Sequence, residues 1–304
     1  MKQLARFKYD LFLLTATFLW GSSFLATEYS LKQVDLMTLI GYRYAIATVV
    51  MLLLFGRYLK HYTPKALRNG LFLGLFLFAG TLLQTGGQLF TTPEKSAFII
   101  SMQVLVVPFI SFLFLKKTPS AFSLVGVCLA FVGMFLVNVG SSITGLFGGW
   151  GIGETITLGC ALIFGTHIIF SSKFTQETNP LFLCIIQLAT VAVLSNITAA
   201  VLGDRPVPAT LDVWLPLLYT GIFATAGALS LMLIGQKHIP PTRAAVIYSM
   251  EPVFAFITGM IIPSFDGTYA TSNLPTLIGG GTIILGILVS EIGPDIFKSR
   301  SADT

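Results

Sequence analysis

Charge is scarce in this chain. Asp, Glu, Lys and Arg make up 10% of its 304 residues, against roughly 25% in a soluble domain. Histidine and cysteine are also rare, with three of each. His61 and His238 fall in expected loops, so no His-Glu-x-x-His metalloprotease motif is present. Cys128, Cys160 and Cys184 lie in apolar segments without metal-ligand spacing, and no disulfide can be argued from them. They read as small packing residues. No Walker motif occurs, which removes ATP-driven transport by this chain alone. Paired carboxylates and serine–histidine motifs are missing from the apolar segments, which argues against a membrane-embedded enzyme. Neither a metal nor a cofactor is expected.

Apolar residues dominate instead, at 54%, with 26 Phe and 29 Gly. A membrane-spanning helix needs roughly 20 mostly apolar residues. Ten segments qualify: 11–29, 35–55, 70–90, 93–115, 120–138, 153–171, 180–201, 212–234, 241–262 and 275–291. Turn residues break them, including Thr63-Pro64, Thr92-Pro93, Asn179-Pro180 and Pro240-Pro241. The first segment has basic residues before it but no small-x-small cleavage site after it, so it reads as an uncleaved span. With the N-terminus inside, fourteen of the 18 basic residues fall in inner segments, while Lys32, Lys95 and Arg205 fall outside and Arg43 within a span. That bias places both termini of this multi-pass chain in the cytoplasm. The net charge of +5 therefore needs no nucleic-acid partner.

The chain repeats itself. Pro93, Ala97, Ile99, Ser101 and Met102 match Pro241, Ala245, Ile247, Ser249 and Met250 at an offset of 148. Span 1 has Gly21-Ser22-Ser23 where span 6 has Gly165-Thr166-His167, at an offset of 144. Five spans per unit is an odd number, so the second unit must run upside down relative to the first. The expected fold is an all-α membrane protein of ten transmembrane helices in two inverted five-helix repeats. Residues 1–140 and 150–292 form the repeats, and 293–304 a cytoplasmic tail. Inverted repeats characterise secondary transporters, with substrate held near the midplane.

Where the repeats diverge, Gln103 has become Glu251. A carboxylate inside an apolar span is costly and is by default a functional candidate. Glu251 lies ten residues into span 9, ~15 Å deep. It can take up a substrate amine or a proton, or it can be a structural carboxylate hydrogen-bonded between helices. Tyr248, three residues before it, shares its helix face. Gln103 is equally deep in span 4 and can orient a polar substrate or bond a neighbouring helix. Arg43, ~12 Å into span 2, can bind a substrate carboxylate or anchor to helix-end carbonyls or a carboxylate such as Glu28. His167 can relay protons, contact substrate or bond another helix. Trp20, with Ser23 and Thr27 on its face of span 1, can line a cavity or pack. Gln84, Gln187 and Asn138 read as links between helices. Glu154 reads as a structural residue at the start of span 6. Pro108 and Pro252 mark spans 4 and 9 as the elements that bend. Glycines 126, 133, 279, 280, 281 and 286, with Ala130, read as close packing of spans 5 and 10.

Several of these residues carry a family pattern. They are Trp20-Gly21-Ser22-Ser23-Phe24, Arg43, Ala97-Phe98, Val107-Pro108, Gly153-Glu154, Arg243-Ala244-Ala245 and Glu251-Pro252-Val253-Phe254. In this order on ten spans, the chain resembles the EamA-type members of the drug/metabolite transporter superfamily over about residues 10–292. The resemblance implies an inner-membrane carrier of small metabolites, often an exporter of amino acids or related compounds. It also implies a cavity walled by spans 1, 3, 4, 6, 8 and 9. The expected function is secondary active transport of a small polar or zwitterionic metabolite by alternating access. The alternative is a channel or a non-transporting receptor. The expected partners are a small-molecule substrate, the lipid bilayer and protons, with the chain a monomer or a homodimer.

Overall fold

The computed structural model describes residues 2–116, 118–139, 151–208, 210–264, 267–270 and 274–300. Side chains are described within these except at 2–6, 94, 137–139 and 291–300, so that of Asn138 lies outside. The described residues form helices and turns. In chain order the helices are α1 (Lys2–Leu31), α2 (Leu36–Phe55), α3 (Pro64–Gln88), α4 (Pro93–Ser101), α5 (Gln103–Leu115), α6 (Ala121–Val139) and α7 (Ile152–Glu177). Then come α8 (Pro180–Leu202), α9 (Leu211–Tyr219), a π-helical segment (Thr220–Gly227), α10 (Ala228–Gln236), α11 (Pro241–Tyr248), α12 (Glu251–Ile261) and α13 (Leu274–Arg300). The last helix runs on to Arg300, past position 293 where a tail was expected.

Among the described residues, eight helical stretches are long and apolar enough to cross a membrane, and two shorter apolar helices span Ala121–Leu136 and Leu274–Ser290. Burial follows the logic of a lipid solvent. Leu53, Phe109 and Val201 are more than three-quarters exposed, whereas Thr17, Ser96, Gln187 and Ser249 are fully buried. Water would make that surface an aggregation hazard; lipid makes it the favoured side.

The helix starts follow local chemistry. Thr63 and Asn179 accept backbone N–H bonds in the turns that open α3 and α8, each followed by a proline at the first helical position. Thr92 does the same for α4, accepting from the Lys95 N–H. Gly203, at φ +72°, closes α8 in the left-handed conformation.

The bends in the repeated helices do not sit at the prolines. Pro108 lies inside α5, and Pro252 lies in the first turn of α12, where a missing N–H leaves no bond unmade. The breaks come earlier, at Met102 and at Ser249-Met250, within the repeated Ser-Met pair. There the backbone tightens to i→i−3 bonds, Met102 N to Ile99 O and Met250 N to Ile247 O. Ser249 Oγ also donates to the Val246 carbonyl, a local bond that competes with the helix ladder. Gln103 and Glu251 are the first residues after these breaks.

Close backbone contact joins α6 to α13. A Cβ at Gly133 would stand 2.6 Å from the Gly279 carbonyl oxygen, and one at Gly126 would stand 2.7 Å from that of Gly286. Gly280 and Gly281 face open space or loose contacts and do not share that role. Because backbone cannot yield as a side-chain tip can, Gly133→Ala should destabilise the protein by about 1–3 kcal/mol. Gly281→Ala, with open space around it inside a helix, should hold or slightly raise thermal stability, and a melting comparison of the two checks this.

Outside the apolar stretches, Arg205 donates to Asp35 from its backbone N–H (2.8 Å), Nε (3.3 Å) and Nη2 (3.1 Å). The side-chain bond, helped by the backbone bond, holds the Asp35 carboxyl below its ordinary value. A depressed carboxyl stabilises the fold at neutral pH and loses that contribution as pH falls below about 3.9 through its folded-state value. The melting-temperature gap between the parent protein and Arg205→Ala should therefore be present at pH 6 and shrink at pH 3. It should stay small throughout, because the pair is exposed.

Candidate functional site

A cavity opens where the two broken helices meet α1, α2, α3, α7, the π segment and α10. It encloses about 660 Å³ of space free of atoms, solvent at its mouth included. Its walls are mostly apolar, with Leu77, Ile100, Phe164, Ile168, Leu229 and Met232 among them. Trp20, Ser23, Arg43, Gln103, His167, Tyr248 and Glu251 all line it. These seven come from six helices spread over two hundred positions of sequence.

Most of the polar groups are held by neighbours. Arg43 Nε donates to Thr225 Oγ1 at 2.6 Å, and the guanidinium stands 5.9 Å from the Tyr44 ring centroid. His167 Nε2 bonds Gln187 Oε1 at 2.9 Å, which leaves Nδ1 to accept from Ser171 at 3.5 Å. Gln236 Nε2 donates to the Tyr248 hydroxyl at 3.2 Å. Trp20 meets Tyr248 edge to face with ring centroids 5.5 Å apart. Ser23 Oγ donates to the Trp20 carbonyl one turn back.

Glu251 and Gln103 differ from these. They are 3% and 4% exposed, they face the cavity, and among the described residues no hydrogen bond or ion pair engages either side chain. Gly21 lets α1 come against the start of α12, since a Cβ there would sit 2.7 Å from the Glu251 backbone carbonyl oxygen. A desolvated carboxylate without a protein partner can be compensated by a cation from outside the protein, a proton or a ligand amine.

The structure also adds residues. Gln84, expected to link helices, lines the cavity. Gln187 does link helices, α8 to α7 through His167. Arg43 and Tyr44 bring α2 into the wall, whereas the expected wall omitted span 2. Thr225 and Ala224 come from the π segment. A π turn is rare and marks functional sites more often than chance; nothing in the apolar run Thr220–Gly227 announces it.

Glu154, read as structural, closes the first turn of α7. Its Oε2 accepts from the Gly151 N–H at 2.9 Å and its Oε1 from the Thr91 hydroxyl at 2.7 Å.

Comparison with known proteins bears on this arrangement. The EamA-like transporter family matches the chain twice, over residues 7–139 and 151–291. The chain belongs to the EamA-like transporter family. Among similar proteins, an uncharacterized transporter of Archaeoglobus fulgidus is 32% identical over 253 residues, covering 83% of this chain and 77% of the relative. The uncharacterized transporter YetK of Bacillus subtilis is 27% identical, covering 93% of this chain and 88% of its own length. A solved crystal structure superposes with a TM-score of 0.74 at 20% identity, over 93% of this chain and 96% of that one. At that identity it speaks for the fold alone. This EamA-like transporter is therefore a multi-pass helical membrane protein of a transporter family, with the cavity as its candidate substrate site.

Proposed function

We propose that this EamA-like transporter is a secondary active carrier for a small polar or zwitterionic, amino-acid-like metabolite. It works by alternating access in the inner membrane, as an exporter, with protons coupled through Glu251. The chain crosses the membrane ten times, in two five-span repeats of opposite orientation covering residues 1–140 and 150–292. Both termini are cytoplasmic. Two matched family segments and the biased basic residues support this topology.

One observation carries the reading. An unpaired carboxylate, Glu251, and a guanidinium, Arg43, line one apolar-walled cavity. A zwitterion offers each of them an opposite charge, and the dry walls strengthen both attractions. The remaining polar groups fix orientation, as in metabolite sites generally.

The test has two stages. Purified protein is screened against a metabolite panel by thermal shift, and compounds that stabilise it are followed in proteoliposomes with and without an imposed proton gradient. An amino-acid-like compound should raise the melting temperature, and its movement should respond to the gradient. A bound compound that is never moved would support a receptor, and unitary conductance would support a channel.

A further inference from the structure

One contact pattern is built twice in this molecule. α1 and α7 correspond at an offset of 144 residues, and α4 and α11 at 148. Under these offsets Asp10 answers to Glu154 and Lys95 to Arg243. Each acid pairs with a base from the other set: Arg243 donates to the Asp10 carboxylate, and Lys95 Nζ stands 3.8 Å from Glu154 Oε1. The surroundings repeat as well. A Cβ on Gly235 would meet Leu13 and the Tyr9 carbonyl oxygen, while one on Gly87 would meet Thr157 and the Gly153 carbonyl oxygen. Leu13 and Thr157, Tyr9 and Gly153, and Gly87 and Gly235 are corresponding positions. His238 stacks on Tyr9 at 3.8 Å, and its counterpart Phe90 lies against Gly153.

The two copies sit on opposite sides of the cavity. Arg243 is eight residues before Glu251 and Lys95 eight before Gln103, ~12 Å of helix in each case. α11 packs on α5 and α12 on α4, so the two broken helices cross in opposite senses. Their ion pairs therefore lie at opposite ends.

The copies are unequal. The Asp10 and Arg243 side chains are 11% and 12% exposed and directly bonded. Lys95 is 32% exposed and beyond hydrogen-bond reach, and Glu154 is already engaged by Thr91 and Gly151. A planar guanidinium also grips a carboxylate better than an ammonium does.

We propose that Asp10–Arg243 and Glu154–Lys95 are alternating latches, one at each mouth of the cavity, with the Asp10–Arg243 mouth the more firmly closed in this conformation. This rests on the alternating-access reading. An ion pair suits the task because its Coulomb attraction and its desolvation cost nearly cancel. Closing the mouth dries and pairs the charges, opening it solvates them, and neither state becomes a trap.

The test uses Ala224→Cys in the cavity wall as a reporter, with Cys128, Cys160 and Cys184 replaced by alanine. A membrane-impermeant maleimide is added to either face of sealed vesicles. Asp10→Asn should raise labelling from the Asp10 face by at least about tenfold and lower it from the other. Lys95→Gln should give a smaller rise from the opposite face. Exchanging the charges, Asp10→Arg with Arg243→Asp, should return labelling toward the parent rate. If Asp10→Asn does not fold, Arg243→Lys replaces it, with a smaller rise from the same face. Labelling of the parent from both faces that no variant shifts overturns the latches and leaves alternating access standing. Labelling from a single face in the parent and in every variant overturns both.

Discussion

Glu251→Gln is expected to lower transport by at least about thirtyfold while the melting temperature holds or rises. Glutamine keeps the shape of the side chain and removes its charge. If the carboxylate meets a substrate amine or a proton in the cavity, losing one partner of that buried pair costs roughly 2–5 kcal/mol, and each 1.4 kcal/mol is about tenfold. Stability should not suffer, because no hydrogen bond or ion pair among the described residues holds the carboxylate, and a neutral amide costs less to keep dry. A structural carboxylate predicts the reverse, with stability falling alongside activity. Transport and thermal melting on one preparation separate the two. Under proton coupling the variant should also lose its response to pH, and an unchanged pH profile removes Glu251 from that coupling.

The second large effect belongs to Arg43. Arg43→Gln should raise KM for a carboxylate-bearing substrate by about ten- to a hundredfold, the range expected when a hydrogen bond to a charged group is lost. Arg43→Lys should fall between, since it keeps the charge but loses the fork and the Nε bond to Thr225. A neutral amide or ester analogue of the substrate supplies the control. If Arg43 holds the carboxylate, the analogue binds the parent and Arg43→Gln alike. If Arg43 only anchors α2 to the π segment, both ligands weaken together and the melting temperature drops.

Much of the site was legible from cost. Charged and hydrogen-bonding side chains are disfavoured in lipid-depth helices, so their appearance in apolar runs is information. Glu251, Arg43, Gln103 and His167 stand out for that reason, and the structure brings all four to one cavity. Gln84 was misread because an amide between helices and an amide facing a cavity look alike in sequence. Thr225 and Ala224 were invisible, because nothing in Thr220–Gly227 separates a π turn from an α one. Proline marked the two spans that break, 4 and 9, but not the place of the break. It is the strongest helix breaker in a sequence, yet Pro252 sits where its missing N–H is harmless, and the tightened turn falls one step earlier at Ser249-Met250.

The sequence by itself determined that this chain is helical, lies in lipid and repeats a motif, because apolar run length and internal identity are properties of the linear order. It also marked which polar residues needed a reason to be where they are. The tertiary structure decided which of them find partners. Arg43 meets Thr225, His167 meets Gln187 and Tyr248 meets Gln236, while Glu251 and Gln103 are left facing the cavity. That outcome depends on helix rotation and on contacts between segments up to 182 positions apart, and no local pattern encodes those.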